Sequence, residues 1–490
     1  MRLFDSISVI FIPGEVMVDK SFSCPAAKKC GGCQLTNMSY EQQLSFKQAK
    51  VIKLMGRFCH VSEIIGMDEP FHYRNKVQAA FGVTRGGQII SGVYQSGTHK
   101  IVKVDNCLIE DKKADEIIVF IRSLVKSFKL SVYNENNGRG FLRHVLVKRA
   151  FGTGEIMVVL VTGREPFKSK NDFVKALLAR FPEITTIVQS INARFTSLVL
   201  GDTEIVLYGN GYITDKLMGK LFRISARSFY QINYAGTQKL YGKALEFAGL
   251  TGKERIVDAY SGVGTIGILA SDGARQVISV ELNKDAVRDA RVNAKLNGVN
   301  NIDFYCADAA DFLVEMSRRH EKVDVVIMDP PRAGSTPAFL KSIVAAEAEK
   351  IVYVSCAPDT LARDVNILVN NGYKVRNIQP VDMFPHTNHV ETVCLLESAK
   401  NLPHISFTVN MEELPRPTRK GATYDEIKAY VSEKHGLKVS SLYIAQIKEK
   451  HGLKERENYN IGNGKSKELV CPPEKEQAIL DAFKHFGMIK

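Results

Sequence analysis

The sequence predicts an α/β protein in which a β-rich domain precedes a doubly wound sheet domain and a small helical extension follows. Three observations predict it. Over residues 228–400 short apolar runs alternate with helical stretches, the pattern of strands wound with crossover helices. A glycine-rich turn holding Gly262, Gly264 and Gly267 follows the first of these runs. Ahead of them, residues 71–227 carry strand-like runs separated by turns such as Arg85-Gly86-Gly87 and Gly152-Thr153-Gly154.

In chain order, residues 1–70 begin with a short extended segment to about residue 23, then a cysteine cluster, then a helical stretch over 40–58. In that stretch Leu44, Ala49, Ile52 and Met55 recur near helical spacing with Lys and Gln between them. The β-rich part has candidate strands at 76–82, 89–94, 100–104, 142–150, 156–162 and 186–192. The wound part has them at 255–258, 277–281, 302–306, 323–328, 351–355, 374–380 and 390–396. A linker, Leu414-Pro415-Arg416-Pro417-Thr418, lies near the start of an extension over 411–490. Its amphipathic helices fall at about 424–433, 441–451 and 474–486.

A chain of 490 residues with 45% hydrophobic and 24% charged residues can bury a sizeable core. Lys and Arg number 66 against 53 Asp and Glu, a formal charge of +13. That balance excludes an acidic solvating chaperone and points to a polyanion, nucleic acid above all. No stretch has the length of a membrane span, and the apolar patch from Ile7 to Ile12 is too short for a signal peptide. A cytoplasmic protein with no membrane partner and no obligate protein partner is expected. In that reducing compartment nine cysteines do not read as a disulfide framework.

The run Arg255-Ile256-Val257-Asp258 enters the glycine-rich turn, and Glu281 ends the next strand. Glycines let the backbone approach a ligand, and the following helix offers its N-terminus. This pattern fits a nicotinamide cofactor and S-adenosylmethionine equally, because both carry ribose hydroxyls that want a carboxylate. Asp308, after the third strand, and Asp329-Pro330-Pro331-Arg332, after the fourth, favour the methyl donor. Asp-Pro-Pro makes a rigid turn suited to holding a flat ring beside that donor. Cys356 ends the fifth strand, at the edge where doubly wound sheets bind ligands. A thiolate there can add to carbon 6 of a pyrimidine and make carbon 5 nucleophilic. A base must later take the proton from carbon 5, and Glu391, with His389 two residues before it, stands at the start of an interior strand.

Cys24, Cys30 and Cys33 have the spacing C-x5-C-x2-C, with Gly31-Gly32 in the inner loop. Cys107 is the best fourth ligand and Cys59 the second. By spacing alone, Zn²⁺ and an iron–sulfur cluster suit the set equally.

Taken together, Phe229-Tyr230-Gln231, Asp258 to Gly264, Glu281, Asp329-Pro330-Pro331-Arg332, Ser355-Cys356-Ala357-Pro358 and His389-Val390-Glu391 resemble the RNA uracil-C5 methyltransferase family, and with the C-x5-C-x2-C cysteines the resemblance extends to its ribosomal RNA type with an iron–sulfur cluster. The resemblance implies a Rossmann-like methyltransferase domain behind an RNA-binding β-rich domain. It implies that Gln231, Tyr260, Glu281 and Asp329 line the S-adenosylmethionine site, with Cys356 as nucleophile and Glu391 as base. It also implies a [4Fe–4S] cluster on Cys24, Cys30, Cys33 and Cys107. The partner it implies is RNA, 23S ribosomal RNA first and transfer RNA as the alternative. About 23 residues precede Cys24, fewer than the small β-barrel of most relatives with the cluster. RNA contacts are expected from Tyr73-Arg74-Asn75-Lys76 and from Arg139-Gly140-Phe141-Leu142-Arg143-His144, which mix basic and aromatic groups suited to phosphates and bases. Ala357 departs from the family, which more often has Asn there. RNA cytosine-C5 methylation fits less well, because no further cysteine stands in the Asp329-Pro330-Pro331-Arg332 loop. A non-catalytic RNA-binding iron–sulfur protein would have no use for Cys356 and Glu391.

Overall fold

A computed structural model describes residues 24–194, 198–401, 422–453 and 471–489. The extended segment expected before Cys24 and the linker at 414–418 lie outside them. The chain divides into two compact units, Met1–Pro403 and His404–Lys490.

The first unit opens with a one-turn helix, α1 (Ala27–Cys30), ended by Gly31 in the left-handed conformation. Helix α2 (Tyr40–Met55) follows, started by a reciprocal capping box between Ser39 and Gln42. Strands β1 (Lys76–Val83), β2 (Ile89–Tyr94) and β3 (Ile101–Lys103) lead into α3 (Lys112–Ser127). Then come β4 (Leu142–Arg149), β5 (Ile156–Thr162), α4 (Lys170–Arg180), β6 (Ile184–Ile191) and β7 (Thr203–Tyr208). These strands form one sheet in the order β3-β2-β1-β4-β5-β6-β7, antiparallel except for the pair β5 and β6. The β-rich stretch thus holds two helices that its reading as strands passed over. Ile117, Ile121 and Val125 of α3 and Phe173 and Leu177 of α4 pack on Val145, Val158 and Leu160 of the sheet. A hairpin of β8 (Tyr212–Leu217) and β9 (Lys220–Ser225) joins this sheet to the second half.

That half runs α5 (Tyr234–Ala248), β10 (Arg255–Ala259), α6 (Thr265–Ala270), β11 (Gln276–Glu281), α7 (Lys284–Leu296), β12 (Ile302–Cys306) and α8 (Ala309–Arg318). It continues with β13 (Val325–Met328), α9 (Pro337–Ala345), β14 (Lys350–Ser355), α10 (Pro358–Asn370), β15 (Tyr373–Val381) and β16 (Glu391–Ser398). The sheet order is β12-β11-β10-β13-β14-β16-β15. It is parallel as far as β14, while β16 runs antiparallel to both of its neighbours. Both faces are covered, which is why the central strands read as unbroken apolar runs. Leu240 and Ala244 of α5 pack on one face, against Ile256, Val352 and Val393. On the other, Val51 and Met55 of α2 share a core with Val257, Val326, Ile351 and Leu396.

The second unit contains α11 (Tyr424–His435), α12 (Ser441–Lys450) and α13 (Pro473–His485). Ile427, Val431, Ile444, Ile447, Ile479 and Phe483 form its own core.

Candidate active site

A doubly wound sheet opens a crevice where its strand order reverses, here between β10 and β13. A cavity of about 1560 Å³ lies there. Gln231, Tyr260, Glu281, Asp329, Cys356 and Glu391 all line it.

The glycine-rich turn is built around two carboxylates. Asp258 is buried at the end of β10 and accepts the Gly267 N–H at 2.9 Å and the Ser279 hydroxyl at 3.3 Å. A Cβ on Gly267 would lie 2.6 Å from Asp258 Oδ2 and 2.7 Å from Ser279 Oγ, so the position demands glycine. Glu281 accepts the Gly262 N–H at 3.0 Å and the Asn283 N–H at 2.7 Å, one on each oxygen. Its remaining lone pairs face the cavity, where hydroxyls of a ligand could donate to them. Tyr260 stands in the left-handed region at φ 61°, with its hydroxyl 3.0 Å from Ser335 Oγ and its ring edge-on to Phe339. Gln231 is held by its carbonyl, which accepts from Asn75 Nδ2 at 3.1 Å, while its Nε2 lies 3.4 Å from the Tyr241 hydroxyl.

Cys356 follows β14 and Glu391 opens β16. These strands are antiparallel neighbours with Ser355 opposite Thr392. Cys356 and Glu391 each lie one residue beyond this pair, both line the cavity, and the Glu391 charge acts on the Cys356 thiol. Burial pushes the Glu391 carboxyl up to about 8, with a further push from Asp329 and an opposing pull from Arg332. Burial likewise pushes the Cys356 thiol up to about 11, with Glu391 and Asp329 adding to it and Arg332 opposing. Asp329 itself is raised to about 7 by loss of water. Arg332 thus favours ionisation of both groups, a role that reading it as part of a turn motif did not reveal.

Lys76, Lys148, Arg223 and Arg227 also line the cavity, as does the exposed Phe229, but Lys148 is buried and burial pushes it down to about 7. Lys148 Nζ donates to the carbonyls of Ser225 and Ser228 at 2.8 and 2.9 Å. Lys148, Arg223 and Arg227 went unnoticed in the sequence because Lys148 sits within an apolar strand and Arg223 and Arg227, four residues apart around the end of β9, form no basic run.

The two stretches expected to meet RNA require correction. Tyr73, Asn75, Phe141, Leu142, Arg143 and His144 are buried. The Arg143 guanidinium donates to the carbonyls of Asn192 and Arg194 at 2.7 and 3.0 Å and lies over the Tyr133 ring. Burial pushes His144 down to about 4, so it is neutral. Arg139 is exposed, and Arg74 and Lys76 are half-buried.

Cys24, Cys30, Cys33 and Cys107 are all half-buried thiols. Burial raises Cys30, Cys33 to about 11 and Cys107 to about 12, and the Glu110 charge adds to each. Arg74 opposes at Cys30 and Cys33. Its buried Nε makes no hydrogen bond. Among the described residues no three His, Cys, Asp or Glu side chains converge on one metal position. None of the described helices is long and apolar enough to cross a membrane.

A Gly-lined turn anchored on carboxylates, opening on a thiol and a second carboxyl at the same sheet edge, defines an S-adenosylmethionine-dependent methyltransferase. Comparison with known proteins narrows the class. The profile described as tRNA (Uracil-5-)-methyltransferase matches residues 39–399. An uncharacterized RNA methyltransferase of Clostridium acetobutylicum is 43% identical over 381 residues, 76% of this chain and 83% of that protein. A second, of Halalkalibacterium halodurans, is 42% identical over 379 residues, 76% of this chain and 82% of that protein. The crystal structure of Pyrococcus abyssi tRNA (uracil-54, C5)-methyltransferase in complex with S-adenosyl-L-homocysteine overlays with a TM-score of 0.64. It is 32% identical and covers 74% of this chain and 85% of that one. The chain belongs to the tRNA (uracil-5-)-methyltransferase family and is an RNA methyltransferase.

Proposed function

We propose that this chain methylates carbon 5 of a uridine in 23S ribosomal RNA through a covalent adduct on Cys356. The observation that carries the reading is that Cys356 and Glu391 share the cavity formed by the glycine-rich turn. Cys356 gives its proton to solvent before the ring closes the cavity, a step that Arg332 favours, and its sulfur bonds to carbon 6 of the ring. The π electrons of the 5,6 double bond move onto the carbonyl at carbon 4. Carbon 5 then takes the methyl group, and the sulfonium sulfur keeps the electron pair of the broken bond as a neutral thioether. The Glu391 carboxylate removes the proton from carbon 5, the double bond re-forms, and Cys356 leaves as thiolate. Gln231, Tyr260, Glu281 and Asp329 hold the donor in this scheme. The uridine must be unstacked to enter, and Phe229 with the surrounding cations suits the strand that carries it.

Cys24, Cys30, Cys33 and Cys107 are the residues that would hold a [4Fe–4S] cluster, Zn²⁺ being the alternative. Four thiols are the right donors, and Arg74 favours the thiolates of Cys30 and Cys33. They do not converge on one metal position in this structure, so the cluster would have to draw them together. The cluster would pin the N-terminal segment. The ribosomal reading rests on the resemblance carried by these cysteines. Transfer RNA is the second reading, favoured by the family's description and by the substrate in the Pyrococcus abyssi enzyme's name. Either RNA supports a cytoplasmic setting.

The test is transfer of labelled methyl groups to unmodified ribosomal and transfer RNA in separate reactions, with nucleoside analysis. Label in 5-methyluridine is expected. Cys356→Ala should abolish turnover and leave donor binding intact. Glu391→Gln should accumulate a protein–RNA adduct that survives a denaturing gel. Turnover by Cys356→Ala would sink the mechanism.

A further inference from the structure

The nine residues 382–390 join β15 to β16 and deliver Glu391 to the cavity. The loop is gripped from outside, by α2 more than by any neighbour in sequence. Lys47 and Asp382 form an ion pair of 2.5 Å with both side chains fully buried. The same Lys47 Nζ donates to the Phe384 carbonyl at 3.0 Å. One turn earlier on α2, the Gln43 amide holds His386 from two sides. Its Oε1 accepts the His386 N–H at 2.8 Å, and its Nε2 lies 3.2 Å from His386 Nδ1. His386 needs that grip, because it stands at φ 68°, where a side chain is strained. Its ring stacks on Phe71 at 4.8 Å, and its carbonyl accepts the Gln34 and Leu35 N–H groups at 3.1 and 3.0 Å. The Tyr73 hydroxyl donates to the Pro385 carbonyl at 3.0 Å.

A loop that served only to connect two antiparallel strands would not need a buried ion pair, which costs desolvation of both charges. The strain at His386 and the buried charge at Asp382 are tolerated together only if the path of this loop matters. From the convergence of Gln43 and Lys47 on residues 382–386, we infer that they are positioning residues for proton removal by Glu391. They touch neither the cavity nor the reacting atoms, and act by fixing the backbone that carries the base. The inference rests on Glu391 being the base and Cys356 the nucleophile.

The test uses the full chain with ribosomal and transfer RNA transcripts made with uridine or with 5-fluorouridine. Fluorine at carbon 5 cannot be removed as a proton, so 5-fluorouridine RNA traps the adduct whatever the state of the base. Gln43→Leu keeps the size of the side chain and loses both contacts to His386. With 5-fluorouridine RNA it should trap adduct as fast as the wild type. With ordinary RNA it should accumulate the same adduct, its resolution slowed about 10- to 100-fold, while donor Kd stays unchanged. Gln43→Glu, which keeps the acceptor for the His386 N–H, should recover part of that rate. If Gln43→Leu fails to bind the donor, Lys47→Met combined with Asp382→Leu removes the grip on Phe384 without leaving a buried charge, and the same accumulation is expected. Wild-type resolution with no adduct in a folded variant would overturn the inference. So would slowed trapping on 5-fluorouridine RNA, which would place the contacts before adduct formation. Failure of the wild type to trap 5-fluorouridine RNA, or trapping by Cys356→Ala, would instead refute the nucleophile assignment itself.

Discussion

With Glu391 raised to about 8 and Cys356 to about 11, both groups hold their protons at neutral pH. A methyl donor carries a positive sulfonium, and a positive charge in this cavity favours thiolate and carboxylate alike. Binding of the donor and ionisation of the nucleophile are therefore linked through charge. The raised carboxyl also has a stability signature. The folded state keeps the Glu391 proton above the ordinary value of 4.5, so stability falls as pH rises from there to about 8. Glu391→Gln should remove that loss. The variant's stability advantage should widen, by a few kcal/mol at most, between about pH 5 and about pH 8. Denaturant midpoints of both proteins at the two pH values check this, and a constant difference would contradict it. The individual site residues were legible because their chemistry is tied to local order: glycine, a carboxylate at a strand end, a thiol at a strand end. Burial was not legible. Arg143 and His144 carry the side chains of an RNA surface, yet long-range carbonyls and an aromatic ring enclose them.

Each central strand of the doubly wound sheet is covered on both faces and so announces itself as an apolar run. Helices α3 and α4 were hidden because strands with stronger apolar runs surround them, although α3 buries Ile117, Ile121 and Val125 on one side. At the turn into α6, Gly267→Ala should push against Asp258 and Ser279, costing about 1–3 kcal/mol of stability and weakening donor binding. Calorimetric titration with the donor, together with a denaturation curve, measures both. Ala357, where the family more often has Asn, turns out to be the N-cap of α10, which has no side-chain cap. Ala357→Asn should supply one, worth about 1 kcal/mol. Amide exchange in the first turn of α10 should slow about fivefold, and unchanged exchange would show that Pro358 already fixes the start.

Over the whole molecule, no sequence pattern announces that α2 belongs to the core of the methyltransferase sheet. Its core partners, from Val257 to Leu396, lie between 202 and 345 positions away, and pairings of that span leave no local trace. The helical unit after residue 404 is the opposite case, closed on itself by Ile427, Val431, Ile444 and Phe483. Residues 404–490 expressed alone should be helical by circular dichroism and melt cooperatively, and a featureless melt would show that its core is insufficient. The first unit has no such autonomy in time. Lys47 and Asp382 are 335 positions apart. At about 5–20 residues per second, a ribosome adds Asp382 roughly 20–70 s after Lys47. Until then Val51 and Met55 of α2 wait without the strands they cover, and Glu391 does not exist. A nascent chain is thus chemically inert until β16 (Glu391–Ser398) has been made, and it becomes an enzyme only when that strand slips between β14 and β15.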